Sequence, residues 1–165
     1  ERGVLRRFDV SRSPRWALPA AWILVAMVIT VVAVTVLLVT GHLVYGLPEP
    51  DDLLGVALGT LLGAFAFISI GIALGMALPS ARSAQGLGML LFFPFFLLGG
   101  AGPPPDAMGD PMSTIAEVVP LTHVVRSIQE PWLDLGSPTG HLAVLAALAV
   151  LATFGWLALS ARAAD

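Results

Sequence analysis

The chain has no cysteine, no lysine and little charge of any kind: only 12% of its 165 residues are charged, and all eight basic ones are Arg. Without Cys there can be no disulfide, thiolate metal ligand or cysteine nucleophile, and nothing marks the redox compartment. Without Lys the chain cannot build a P-loop, whose Lys must reach the nucleotide phosphates. If ATP drives this protein, another subunit hydrolyses it. Arg without Lys, together with abundant Ala and Gly, suggests a GC-rich bacterial genome. The opening Glu1, followed by charged rather than apolar residues, reads as the start of a piece of a longer protein.

What is present in excess is apolar. Hydrophobic residues make up 57% of the chain, against roughly 45–50% in soluble domains. Four charge-free runs are long enough to cross a hydrocarbon core as helices, which needs about 20 residues. They are residues 18–40, 53–78, 84–102 and 141–159. Lipid offers no hydrogen-bond partners, so each run must satisfy its own backbone and be helical despite its many Val residues. The expected fold is therefore all-α: a polytopic membrane bundle of four transmembrane helices plus short extracellular amphipathic or re-entrant helices.

Charge placement sets the expected topology. Arg2, Arg6, Arg7, Arg12 and Arg15 precede the first run, Arg82 separates the second and third, and Arg162 follows the fourth. The other two loops hold eight carboxylates, including Asp51, Asp52, Asp110 and Glu130, against Arg126 alone. By the positive-inside rule both termini are cytoplasmic. Within the outer segment 103–140, the spacing of Ile115, Val118, Val119 and then Val124, Val125, Ile128 predicts two short helices broken at Pro120, with Trp132 as an interfacial anchor. A plain extracellular loop is the alternative.

Apart from His141, the first residue of the fourth run, no ionisable residue lies within any of the four runs, which argues against proton-coupled transport and ion conduction. Ser69, Thr30, Thr35 and Thr60 are polar groups at depth, and a hydroxyl without a base is not a catalytic site. No cofactor, metal or catalytic residue is expected. The histidines, His42, His123 and His141, show no metal-ligand spacing.

Four features remain. Gly55, Gly59, Gly63, Gly71 and Gly75 recur at intervals of four or eight along the second run, which clears one helix face for close approach of another backbone; this is either a sliding or dimerising face or static packing. Pro94 sits among Phe92, Phe93, Phe95 and Phe96 and removes a backbone donor in mid-span, with the rings facing either a substrate path or lipid. Pro120, Thr122, His123 and Arg126 form an outer motif, where Arg126 could simply pair with Glu130 one turn on. Finally, residues 1–17 alternate basic and apolar side chains and could lie on the cytoplasmic face with Val4, Leu5 and Phe8 toward lipid.

The opening Glu1-x-Gly3-x-Leu5-Arg6-Arg7, the Pro before the first span, the third span running into a Pro-rich loop, and the Pro120–Arg126 segment together resemble type-2 ABC transporter permeases, of the drug-resistance and daunorubicin-exporter type. The resemblance covers nearly the whole chain. It implies a permease subunit that moves an apolar or amphipathic substrate, whether drug, lipid or glycan-linked, out of the cell across a bacterial cytoplasmic membrane. It further implies an ABC ATPase subunit and a second permease, in a homodimer or heterodimer, as partners within membrane lipid and with no nucleic acid. Glu1, Gly3, Leu5, Arg6 and Arg7 would form the segment that couples to the ATPase, and the four spans would be the last four of six. A non-transport anchoring or assembly subunit, using the Gly stripe only to bind other helices, is the alternative; a neighbouring gene with a P-loop would favour transport.

Overall fold

The computed structural model describes residues 16–100 and 110–162, and all regular structure among them is helical. There are six helices: α1 (Ala17–Tyr45), α2 (Leu53–Ala77), α3 (Ala81–Leu98), α4 (Asp110–Val118), α5 (Pro120–Trp132) and α6 (Thr139–Arg162). Four of them, α1, α2, α3 and α6, are long and apolar enough to cross a membrane. Even the shortest, α3 with 18 residues, reaches about 27 Å at 1.5 Å per residue. The chain is an all-α polytopic bundle.

Local chemistry sets the helix ends. α1 runs past the expected end at Thr40, because Gly41 does not break a helix that has no water to compete for its backbone. It stops at Gly46, whose left-handed conformation (φ 63°) caps the helix while Leu47 N–H donates to the Gly41 carbonyl at 3.2 Å. Asp52 caps α2 by accepting from Gly55 N–H at 3.0 Å. α3 begins at Ala81, earlier than the expected Ala84, because Ser80 and Ser83 form a reciprocal capping box. It ends at Gly99–Gly100, before the expected Gly102. The helix continues through Pro94, which leaves the Leu90 carbonyl without its usual donor four residues on.

α2 is the centre of the bundle. It packs most extensively on α6 and then on α5, with α1 against a further side. α2 buries Gly55, Val56, Gly59, Gly63, Ala66 and Ser69, and α6 buries Leu145, Ala149, Trp156 and Ser160. Small residues let these backbones approach: a Cβ on Gly155 would lie 3.9 Å from Ala73 Cβ. Away from this seam the apolar side chains point outward, Trp22 at 64% and Leu37 at 68% exposure among them. Such a surface is stable only where lipid or another apolar chain replaces water.

Candidate functional site

α4 and α5 dip into the bundle from the end that carries Asp51 and Asp52. At the mouth, Asp52 N–H donates to the Pro131 carbonyl at 2.9 Å, tying the end of α5 to the start of α2. From there α5 descends along the glycine stripe. A Cβ added to Gly55 would come within 2.8 Å of Pro131 Cβ, one on Gly59 within 2.6 Å of the Ser127 carbonyl oxygen, and one on Gly63 within 2.7 Å of Val124 Cγ1. Pro131, Ser127 and Val124 are spaced three to four residues apart, the period of one helix face. Gly63 lies ten residues into α2, so the contact reaches about 15 Å below its start. That is roughly half of a hydrocarbon core of about 30 Å. The pair is inserted into the bundle rather than laid over it as a surface loop.

The glycine stripe therefore divides. Gly55, Gly59 and Gly63 seat α5, whereas Gly71 and Gly75 face open space, with nothing within 4 Å of an added Cβ.

The turn between α4 and α5 is the deepest part of the pair. Pro120 takes the first helical position of α5, where its missing N–H costs nothing. Thr122, 2% exposed, donates its hydroxyl proton to the Ala116 carbonyl at 2.5 Å, with the Leu98 carbonyl 3.4 Å away. Leu121 fills the space beside Gly99, where an added Cβ would lie 2.8 Å from Leu121 Cβ. The turn thus abuts the end of α3, and the buried Ala116 and Val119 complete the contact.

His123 meets a group that no spacing in the sequence joins to it. Its Nδ1 lies 2.9 Å from Nδ1 of His141 on α6, and Nε2 of His141 lies 3.2 Å from Glu130 Oε1. This corrects the sequence expectation for Glu130: among the described residues its ion-pair partner is His141, not Arg126. The reason is position: His141, in the first turn of α6, meets both His123 and Glu130, which lie seven residues apart on one face of α5. Burial lowers the His123 pKa from its ordinary value; His141 and then Arg126 lower it further, against a hydrogen bond to the Glu117 backbone that raises it. Glu130 and His123 address opposite nitrogens of His141, so the three do not converge on one point as metal ligands do.

Of the rings around Pro94, Phe92, Phe93 and Phe96 are exposed, Phe92 stacking on Phe96 and meeting Phe93 edge-on, while Phe95 meets Phe67 of α2 edge-on at 6.3 Å. At the acidic end an apolar hollow of about 350 Å³ lies between α1, the loop after it and α5, with Leu38, Leu47, Leu53 and Trp132 in its wall and Glu49 as its one carboxylate. Glu1, Gly3, Leu5, Arg6 and Arg7 lie outside the described residues. Sequence reasoning missed His141, Glu130 and Ser127 as partners of this site. The Val124, Ser127, Pro131 spacing opposite the glycines was the available signal for the seat; the histidine contact had none.

The ABC-2 type transporter family matches residues 1–131. No curated protein and no solved structure matches the chain. Membership implies association with an ABC ATPase subunit and pairing of permeases. The chain belongs to the ABC-2 type transporter family and is the permease component of an ABC exporter, not its ATPase.

Proposed function

We propose that this permease moves an apolar or amphipathic molecule outward across a bacterial cytoplasmic membrane, with both termini in the cytoplasm and the α4–α5 pair as a roof on the outer side. The observation that carries this reading is the seat of α5 on Gly55, Gly59 and Gly63. It places a polar, non-spanning helix half-way into the acidic end of the bundle, where it narrows any exit without crossing the membrane. Apart from His141 in the first turn of α6, the four apolar runs bring no ionisable side chain into the bundle, so their walls suit an uncharged surface better than an ion. The hollow beside Trp132 is mainly apolar, with Glu49 and His42 in its wall, and suits an amphipathic molecule.

Energy reaches these helices through the basic segment before α1. ATP binding closes the partner ATPases, and their movement acts on Arg2, Arg6, Arg7 and the adjoining residues. The spans then tilt and the path opens beside the roof.

The test is reconstitution of the full permease with its ATPase in proteoliposomes, following ATP-dependent movement of a fluorescent amphiphile. Replacing Arg6→Glu and Arg7→Glu together should reduce transport at least tenfold while the ATPase alone keeps its basal rate. Normal coupling in that variant would remove the coupling assignment. A stable ATPase complex that moves none of a panel of amphiphiles would favour the anchoring role instead.

A further inference from the structure

The His123–His141 contact has a property that follows from counting protons. Two Nδ1 atoms 2.9 Å apart form a hydrogen bond only if one carries a proton and the other a lone pair. Two neutral imidazoles can make this bond, and so can one neutral ring and one imidazolium. Two imidazoliums cannot, because both Nδ1 atoms then carry protons. Nε2 of His141, on the other side of the ring, faces the Glu130 carboxylate at 3.2 Å. A second imidazolium would set N–H against N–H and two like charges at bonding distance.

We propose that the His123–His141 bridge, backed by Glu130, is a proton-operated latch that holds the inserted helix α5 against the span α6 and releases it when both rings become imidazolium.

The surroundings give release a direction. α5 itself brings Arg126, whose charge opposes a second proton, and Glu130, which is engaged with His141. α4 has Asp110 at its first residue and Glu117, which acts through its backbone. α6 brings His141 to the bridge, and its other ionisable residue, Arg162, lies at its far end. α2 and α3 contain no ionisable residue but Arg82 at the far end of α3; Asp52, which caps α2, sits at the mouth beside Pro131. Only the Glu117 backbone favours charge on His123, and burial, His141 and Arg126 together outweigh it in the closed arrangement. His123 therefore binds a proton less readily latched than released, so release takes up protons. The latch is fully present above the ordinary histidine range near pH 6.5 and is lost as the pH falls below it. His141 keeps about one-fifth of its side chain exposed and His123 is half-buried beside it, so the pair is open to protons from the adjoining aqueous phase.

The inference concerns the position of α5 and does not depend on what the permease carries. Its test uses the full permease with its ATPase in lipid nanodiscs, with Gln129→Cys and Thr139→Cys carrying spin labels, because these exposed positions flank the bridge on α5 and α6. Labelled protomers are diluted with unlabelled ones, and the inter-label distance is measured at about pH 8 and about pH 5, either side of the histidine range. The expected result is a reversible shift to longer distance at the lower pH. His123→Asn, which keeps a hydrogen-bonding group near the Nδ1 position but cannot titrate, should hold the short distance at both; His123→Gln serves if the Asn variant does not assemble. An unchanged distance in the unsubstituted pair would overturn the latch, as would an acid shift that survives loss of the titratable ring.

Discussion

Gly59 and Ser127 meet without a side chain between them: a Cβ on Gly59 would lie 2.6 Å from the Ser127 carbonyl oxygen and 2.8 Å from its hydroxyl oxygen. The obstacle is partly backbone, which cannot rotate away. Gly59→Ala should therefore push α5 off its seat, with a cost in the range of about 1–3 kcal/mol typical of overpacking. Gly71→Ala, in open space, should be neutral or mildly stabilising, by up to about 1 kcal/mol, because Ala is the better helix former. Thermal denaturation of the two variants in the same detergent separates them. Equal midpoints would show that α5 does not press on Gly59.

Thr122 is the buried hinge pin of the α4–α5 turn. Its hydroxyl donates to the Ala116 carbonyl at 2.5 Å, and it is 2% exposed. Thr122→Val keeps the shape and removes the donor; the Ala116 carbonyl keeps its bond from Val119 N–H at 3.1 Å, so the cost is that of one net hydrogen bond, about 0.5–1.5 kcal/mol. Thr122→Ser keeps the donor and should lose less. A Val variant as stable as the Ser variant, in the same denaturation assay, would show that the hydroxyl is not what closes the turn.

The sequence carried the bundle more fully than the site, for physical reasons. Charge-free runs of Val, Leu and Ala have one outcome in lipid, so the existence of the four spans was legible from length alone. Their ends were less so, because caps at Gly46 and Ser80 depend on backbone conformation that hydropathy does not register. The glycine stripe was visible as a cleared face, yet nothing in its spacing says that Gly55 to Gly63 are covered by α5 while Gly71 and Gly75 are not. The three-dimensional seat decides that. His123 and His141 are 18 positions apart with the turn after Trp132 between them, and no periodicity links residues across such a turn.

Asp52 serves two elements. Its carboxylate caps α2 through Gly55 N–H at 3.0 Å, and its own N–H holds the Pro131 carbonyl at 2.9 Å. Asp52→Ala removes only the first and should cost about 1 kcal/mol, whereas Asp52→Asn retains a capping oxygen and should cost less. Asp52→Pro also removes the N–H and with it the bond to Pro131. The order Asn, Ala, Pro in falling stability is the expected series; Ala and Pro variants of equal stability would mean that the bond to Pro131 adds nothing.

The proposed orientation makes opposite ends of α2 answer to different compartments. Asp51 precedes its cap in an exposed loop, and Ala81 opens α3 after the turn that follows α2, also exposed. With α2 spanning, the two positions are separated by its 25 residues, about 37 Å at 1.5 Å per residue. This chain has no native cysteine, so Asp51→Cys and Ala81→Cys give it single reactive thiols. A membrane-impermeant maleimide added to intact cells should label Asp51→Cys and leave Ala81→Cys unlabelled until the membrane is opened. The Arg-rich flanks predict this because basic loops stay in the cytoplasm. Labelling of Ala81→Cys alone from outside would invert the topology, turn the α4–α5 pair to the cytoplasmic side, and bring the His123–His141 bridge under the control of cytoplasmic rather than external protons.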